Sequence, residues 1–302
     1  MTADAVSAEV LAVIVAIVDA EPCVLTLGEA PRLPAGPLLP DHRSLQAATR
    51  AWVEQQTGRD LGFLEQLYTF ADLDREGASG RNISVSYLGL THDADSLPIG
   101  TWRPWYSLLP WEDRRSANRT SAPLARRLSD WASAAAVTSP QQRQQRAAIT
   151  FGLDGNPWQP DLALQRYELL YEAGLVAEAA PSARRPEAEW APGHRMVGDH
   201  RRVLATGLAR LRAKIQYRPV VFELMPETFT LRELQSCVEA LAGRPVHTQN
   251  FRRLVEKEAL VEETGEVDAE TGGRPARLYR FRREILQQRQ VAGTKLPTTR
   301  AR

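Results

Sequence analysis

The chain has 302 residues, 43% of them hydrophobic and 25% charged, and a formal net charge of +1. That balance excludes wholesale disorder, collagen-like repeats and a membrane bundle, and the length suits two or three domains. The charge is unevenly spread: residues 201–302 carry 20 Arg and Lys against 12 Asp and Glu, and residues 1–200 carry 18 against 25. A basic third on an acidic body is the pattern of a polyanion-binding module attached to something else.

The longest apolar run, Val10–Val18, is far short of the roughly 20 residues of a spanning helix. Asp4 and Glu9 precede it in place of a basic flank, so a signal peptide is not expected. The two cysteines, Cys23 and Cys237, are too few for a disulfide framework or a zinc site and suit a reducing cytoplasm. No metal or tightly bound cofactor is expected. Val10–Val18 and Cys23–Leu27 read as β-strands, with a hairpin turn at Asp19-Ala20-Glu21-Pro22. Pro31–Asp41 reads as a loop. Ser44 then caps a helix to about Thr57, with Leu45, Ala48, Trp52 and Val53 on one face and Gly58 as its terminator. Phe63–Phe70 and Asn82–Leu90 read as further strands.

From residue 111 the periodicity becomes helical. Leu124, Leu128 and Trp131 form one stripe, and Leu162, Leu164, Tyr167, Leu170 and Tyr171 another; Pro181–Pro192 reads as a linker. Next comes a helix from Asp199 with Val203, Leu204, Leu208, Leu211 and Ile215 on one face, closed by Pro219. Thr230 caps a second helix, with Glu233 placed for a capping box and Gly243 as its stop. After the turn Arg244–His247, a third helix runs from Thr248 to about Ala259, with Phe251, Leu254 and Val255 inward. Leu260–Thr264 and Leu278–Arg282 are strands joined by Gly265–Arg277. Three helices followed by a two-stranded ribbon is the plan of a winged helix-turn-helix.

The outward face of that third helix carries Gln249, Asn250, Arg253 and Lys257. Asn and Gln suit adenine edges and Arg suits guanine or phosphate. Thr248 and Arg252 are placed for phosphates, and Arg274 and Arg277 belong to the wing, where an arginine can reach a phosphate or the minor groove.

Leu33-Pro34-Ala35-Gly36 with Ser44–Gly58 resembles a Nudix box: a Gly-containing loop, a helix and a terminal Thr-Gly. In that family the helix carries carboxylates that hold magnesium or manganese on a diphosphate. Counting back from Gly58, the Glu-Glu pair falls on Gln55 and Gln56, and the Arg-Glu pair on Ala51 and Trp52. A neutral amide is a weak ligand for a hard dication, so a Nudix fold without hydrolysis is expected. Tyr68–Asp72 with Arg75, followed by Arg81–Tyr87, is similar to the segment after the helix in ADP-ribose-type members. Arg75 and Arg81 either pair with a diphosphate or are exposed loop arginines. Trp102 and Trp105 either stack on an adenine or pack in a core. The ligand-binding candidates are Arg75, Arg81, Gln55 and Trp102.

Pro226–Gln235, Asn250–Arg253, Glu262–Gly265 and Gly273–Phe281 are similar to the C-terminal domain of Nudix-related transcriptional regulators of the NrtR/NadQ type, and Asp199–Tyr217 to the helix entering it. The resemblance covers about residues 8–110 and 197–283. It implies an α+β chain with a Nudix-like α/β/α sandwich over 1–110 and a winged helix-turn-helix over 193–302, while residues 111–192 depart from the shorter family pattern as a helical insertion. It implies a repressor of NAD-metabolism genes that senses an ADP-ribose- or NAD-type effector; a homodimer on a double-stranded operator is expected because one module reads few bases, with the helix at 199–217, which links both domains, as the connection. A diverged Nudix hydrolase with metal on Glu54, Glu65 and Asp72 is the alternative.

Overall fold

The computed structural model describes residues 6–72, 81–92, 99–116, 121–134, 139–179, 192–215, 220–268 and 275–282. Arg75, Arg274, the linker at 181–191 and the tail after Gln287 lie outside the described residues. The elements are β1 (Ser7–Val18), β2 (Glu21–Thr26), β3 (Ala35–Pro37), α1 (Leu45–Thr57), β4 (Phe63–Phe70), β5 (Asn82–Leu90), β6 (Thr101–Pro104), α2 (Trp105–Leu108), α3 (Ser121–Ser133), α4 (Pro140–Phe151), α5 (Ala163–Glu172), α6 (His200–Ile215), α7 (Leu231–Ala242), α8 (Thr248–Lys257), β7 (Val261–Asp268) and β8 (Ala276–Phe281).

The long apolar strand β1 lies near the centre of a mixed sheet of order β4-β5-β1-β2-β6, with β3 also on β1. Strand β1 runs parallel to β5 and antiparallel to β2 and β3. The β1–β2 hairpin turns on Asp19 and Ala20 alone, both at positive φ (49° and 60°). Such a two-residue turn matches the strand twist, so Glu21 and Pro22, expected in the turn, are already in β2. Ala35–Pro37, expected as loop, forms the short strand β3 against Glu9–Leu11; three residues are too few to show a strand period.

The alternation along β1 divides the domain into layers. Val10, Ala12 and Ile14 pack with Ala48 and Val53 of α1. Leu11, Val13 and Val15 point the other way, into a core shared with Val203, Leu204 and Leu208 of α6. Gly207 of α6 lies directly over Val13. The sheet is thus sandwiched between α1 and α6. Helix α6 is buried on almost every side, Arg201 and Arg212 included, as befits a helix packed on more than one partner. The same core continues through Tyr167, Leu169 and Leu170 of α5 to Leu234, Val238 and Leu241 of α7 and Phe251 and Val255 of α8.

Helix α7 starts on the expected capping box: Glu233 N–H donates to Thr230 Oγ1 (3.2 Å) and Thr230 N–H donates to Glu233 Oε2 (2.7 Å). It stops at Gly243, φ 70°. Strands β7 and β8 are longer than the sequence suggested. The two strands are tied across the ribbon by charge, Arg277 with Glu263 (2.7 Å) and Arg280 with Glu262 (2.6 Å). Phe229 exchanges both backbone hydrogen bonds with Tyr279 (2.9 and 2.8 Å) and anchors the ribbon to the helices. No helix among the described residues is long and apolar enough to cross a membrane.

Candidate functional site

A cavity of about 540 Å³ opens at one end of the sheet, lined by Glu9, Arg32, Gly36, Gln56, Asn82 and His200 among others, within the usual size of small-ligand sites. The parallel register of β1 and β5 sets Ser7 and Glu9 opposite Asn82 and Ser84. Asn82 Nδ2 (2.6 Å) and Ser84 Oγ both donate to Glu9 Oε1. One wall is a strap, residues 31–37, held from two sides. From α6 and the residues before it, Val197 N–H donates to Pro31 O (3.0 Å), and Leu33 N–H donates to His200 Nδ1 (2.8 Å). From α1, Gln56 both accepts from Ala35 N–H (3.1 Å) and donates to Ala35 O (2.8 Å), and Trp52 Nε1–H donates to Pro37 O (2.9 Å). A Cβ at Gly36 would strike the Trp52 indole, so the strap can lie this close only with glycine there.

Gln56 and Trp52, standing where the Nudix resemblance would place carboxylates, therefore tie backbone instead. Glu54 and Gln55 are exposed on α1. Glu65 is paired with Lys214 and Arg210, and Asp72 with Arg202. Among the described residues, no three His, Cys, Asp or Glu side chains are grouped to share a metal ion. This donor set does not fit a hard dication.

Of the four ligand candidates from the sequence, Arg75 lies outside the described residues, and Arg81, Gln55 and Trp102 are not brought together. Arg81 is exposed beside the cavity, its carbonyl accepting from Ser7 N–H (3.0 Å). Gln55 points away. Trp102 lies on β6 in the α1-side cluster, with the Arg59 guanidinium 5.9 Å above its ring. Trp105 is wholly buried in the main core. The cavity residues Glu9, Arg32, Asn82 and His200 carry no motif; the strap and the parallel register bring them together.

Burial and the nearby Arg32 push the His200 imidazole down to about 4 from 6.5, against the pull of Glu9. The neutral ring accepts at Nδ1 and so carries its proton on Nε2. Because the folded value is the lower, the unfolded chain takes up the proton first. His200 therefore contributes stability that is full above about pH 6.5 and is lost as pH falls toward 4, at most about 3 kcal/mol. In a His200→Gln variant the urea midpoint should fall less between neutral pH and pH 4 than in the parent. Equal acid sensitivity would contradict this.

On α8, Thr248, Gln249, Asn250, Arg252, Arg253 and Lys257 are all exposed, while Phe251 and Val255 are buried. Gln235 of α7 donates to Thr248 Oγ1 (3.1 Å) and Val246 O (3.1 Å), fixing the angle between the two helices. The result is a polar helix face exposed among the described residues, and on the β7–β8 ribbon Arg277 is exposed as well.

A buried polar junction joins this unit to the rest. Glu112, wholly buried, receives Arg166 of α5 (2.6 and 2.9 Å) and Arg212 of α6. Arg212 Nε donates to Leu241 O (2.9 Å), Tyr106 Oη donates to Ala240 O (2.5 Å), and Arg114 N–H donates to Gly243 O (2.6 Å). The C-terminus of α7 is thus held by groups from three other parts of the chain. Burial alone would push the Glu112 carboxyl up, but the Arg166 and Arg212 guanidiniums hold it below the usual carboxylate range.

A family model described as the NrtR DNA-binding winged helix domain matches residues 221–281. Over 83 residues the chain is 41% identical to the ADPR responsive transcriptional repressor NtrR of Acinetobacter baylyi, a match spanning 28% of this chain and a third (33%) of that relative's length. The crystal structure of Shewanella oneidensis NrtR complexed with a 27mer DNA aligns with a TM-score of 0.54 at 20% identity, over 92% of this chain and 95% of that one. A MutT/nudix family protein from Enterococcus faecalis aligns with a TM-score of 0.53 at 15% identity, over 93% and 88%. Residues 221–281 are thus a winged helix of the NrtR DNA-binding kind, and the chain as a whole shares the fold of the Shewanella oneidensis and Enterococcus faecalis structures.

Proposed function

We propose that the protein is a transcriptional repressor of NAD-metabolism genes that binds an ADP-ribose- or NAD-type nucleotide intact and adjusts its grip on operator DNA in response. One observation carries this: a single buried helix, α6, has His200 in the wall of a nucleotide-sized cavity and Arg212 on the C-terminus of the first helix-turn-helix helix. A ligand shifts DNA affinity only by preferring one arrangement of the two domains, and α6 touches both. The Acinetobacter relative's description as an ADPR responsive repressor and the Shewanella relative's 27mer DNA support the same ligand and partner classes here.

Cleavage is not part of the proposal. A diphosphate transition state needs its developing charge neutralised, and the box offers amides and an indole. The hydrolase alternative would need Glu65 and Asp72 to leave the cations that hold them. In the cytoplasm the protein would bind as a homodimer, because one winged helix reads few base pairs and two half-sites a helical turn apart raise specificity. The candidates Arg81 and Arg75 belong to the ligand side of this proposal, and Thr248–Lys257 with Arg274 and Arg277 to the DNA side.

Fluorescence anisotropy tests the DNA half. Duplexes tiling the regions upstream of NAD-metabolism genes are titrated against a random duplex of equal length. At least one should bind about a thousandfold more tightly. Uniform affinity at low salt would overturn the proposal.

A further inference from the structure

The cavity holds two opposite charges that no single simple ion satisfies. The Glu9 carboxylate is fixed by Asn82 and Ser84 through Oε1 alone, and no described residue is recorded against Oε2. Arg32 lines the same space, with its side chain exposed. Glu9, Arg32 and His200 all line this one cavity. A bare phosphate there would meet the Glu9 carboxylate, and an ammonium or guanidinium ligand would meet Arg32. A ligand that presents an anion to Arg32 and neutral hydroxyl donors to Glu9 satisfies both, because a carboxylate oxygen accepts from O–H groups with charge assistance. The neutral His200 supplies a further N–H donor from Nε2.

We propose that Glu9 is the residue that selects the sugar of the effector: its open carboxylate oxygen accepts from the vicinal hydroxyls of a ribose while Arg32 pairs with the adjoining phosphate. The ligand class is then a ribose-bearing nucleoside diphosphate, and neither inorganic phosphate nor a deoxy-sugar analogue substitutes for it. This rests on the nucleotide reading of the cavity. It adds a named selector to that reading, one on β1 outside the Nudix-like box.

Isothermal titration of the full-length protein and of Glu9→Gln with ADP-ribose, ADP and 2′,3′-dideoxy-ADP tests it. The parent should prefer ADP-ribose or ADP to the dideoxy probe. Glu9→Gln should weaken the preferred probe by about tenfold, the loss of one charge-assisted hydrogen bond, and leave the dideoxy probe unchanged. Asn82→Ala keeps the carboxylate but frees it, and should give a smaller loss on the same probe. Circular dichroism melting of each variant separates this from misfolding, since a folded Glu9→Gln protein with a probe-selective loss is the expected result. If the parent binds ADP-ribose and Glu9→Gln binds all three probes as the parent does, or loses all three equally, the selector role is overturned and the nucleotide reading stands. If the parent binds no ribose nucleotide, both fall together.

Discussion

Glu112→Ala is expected to cost about 3–5 kcal/mol of stability, the usual penalty when one partner of a buried ion pair is removed. The variant would leave the Arg166 and Arg212 guanidiniums, both buried, facing a void. Their remaining bonds run to neutral acceptors: Thr150 O, Gln159 O and Pro160 O for Arg166, and Leu241 O, Pro160 O, Glu112 O and the Tyr106 hydroxyl for Arg212. None of these neutral acceptors replaces a carboxylate. Native stability is typically about 5–15 kcal/mol, so the loss is a large fraction of the whole. Because the junction holds the C-terminus of α7, the damage should not be uniform. Amide exchange near Ala240–Gly243 should quicken more than in β1. The C-terminus of α7 tolerates little substitution from the other side either. A Cβ at Gly243, already left-handed at φ 70°, would collide with the Glu112 carbonyl oxygen and the Arg212 guanidinium. Urea melting checks the prediction, and a loss below about 1 kcal/mol would mean that the junction relaxes around water.

Asn250→Ala and Arg253→Ala should each weaken operator binding by about 10- to 100-fold, the worth of one good base contact. The two together should leave little more than affinity for random DNA. Both side chains are exposed on α8 and make no recorded contact that supports the fold, so melting behaviour and ADP-ribose affinity should stay as in the parent. Arg252→Ala, at a position suited to phosphate, should weaken all duplexes alike and lower the salt slope by about one. If Asn250→Ala left the ratio of operator to random binding untouched, α8 would not be the reading helix.

Much of the architecture was legible because local chemistry and global packing agree. Ser44 accepts from Ala47 N–H (3.1 Å) and opens α1 where the cap was expected, and the Thr230–Glu233 box opens α7. The stripe Phe251 and Val255 is buried beneath an exposed polar face, as its spacing required. The site was far less legible. Glu9 sits inside an apolar strand as an unremarkable polar residue, and only the parallel pairing with β5 brings Asn82 and Ser84 to it. His200 acquires meaning from Leu33, which lies 167 residues away in the chain. The junction is equally non-local: Glu112 stands 54 residues from Arg166 and 100 from Arg212, and a single sequence carries no periodic trace of such a triad. The Nudix-like box set Gln55 and Gln56 together at carboxylate positions. Gln56, not Gln55, faces the cavity, because α1 turns its Trp52–Gln56 face toward the strap.

Operator affinity measured by anisotropy with and without saturating ADP-ribose, in magnesium buffer, with the nucleotide recovered and chromatographed afterwards, tests most directly the proposal that the cavity governs the winged helix without chemistry. The expected result is a change in operator affinity of about 5- to 150-fold, the usual range of coupling between two sites, with ADP-ribose recovered whole. Unchanged operator affinity, or conversion of the nucleotide to AMP and ribose phosphate at a catalytic rate, would contradict it.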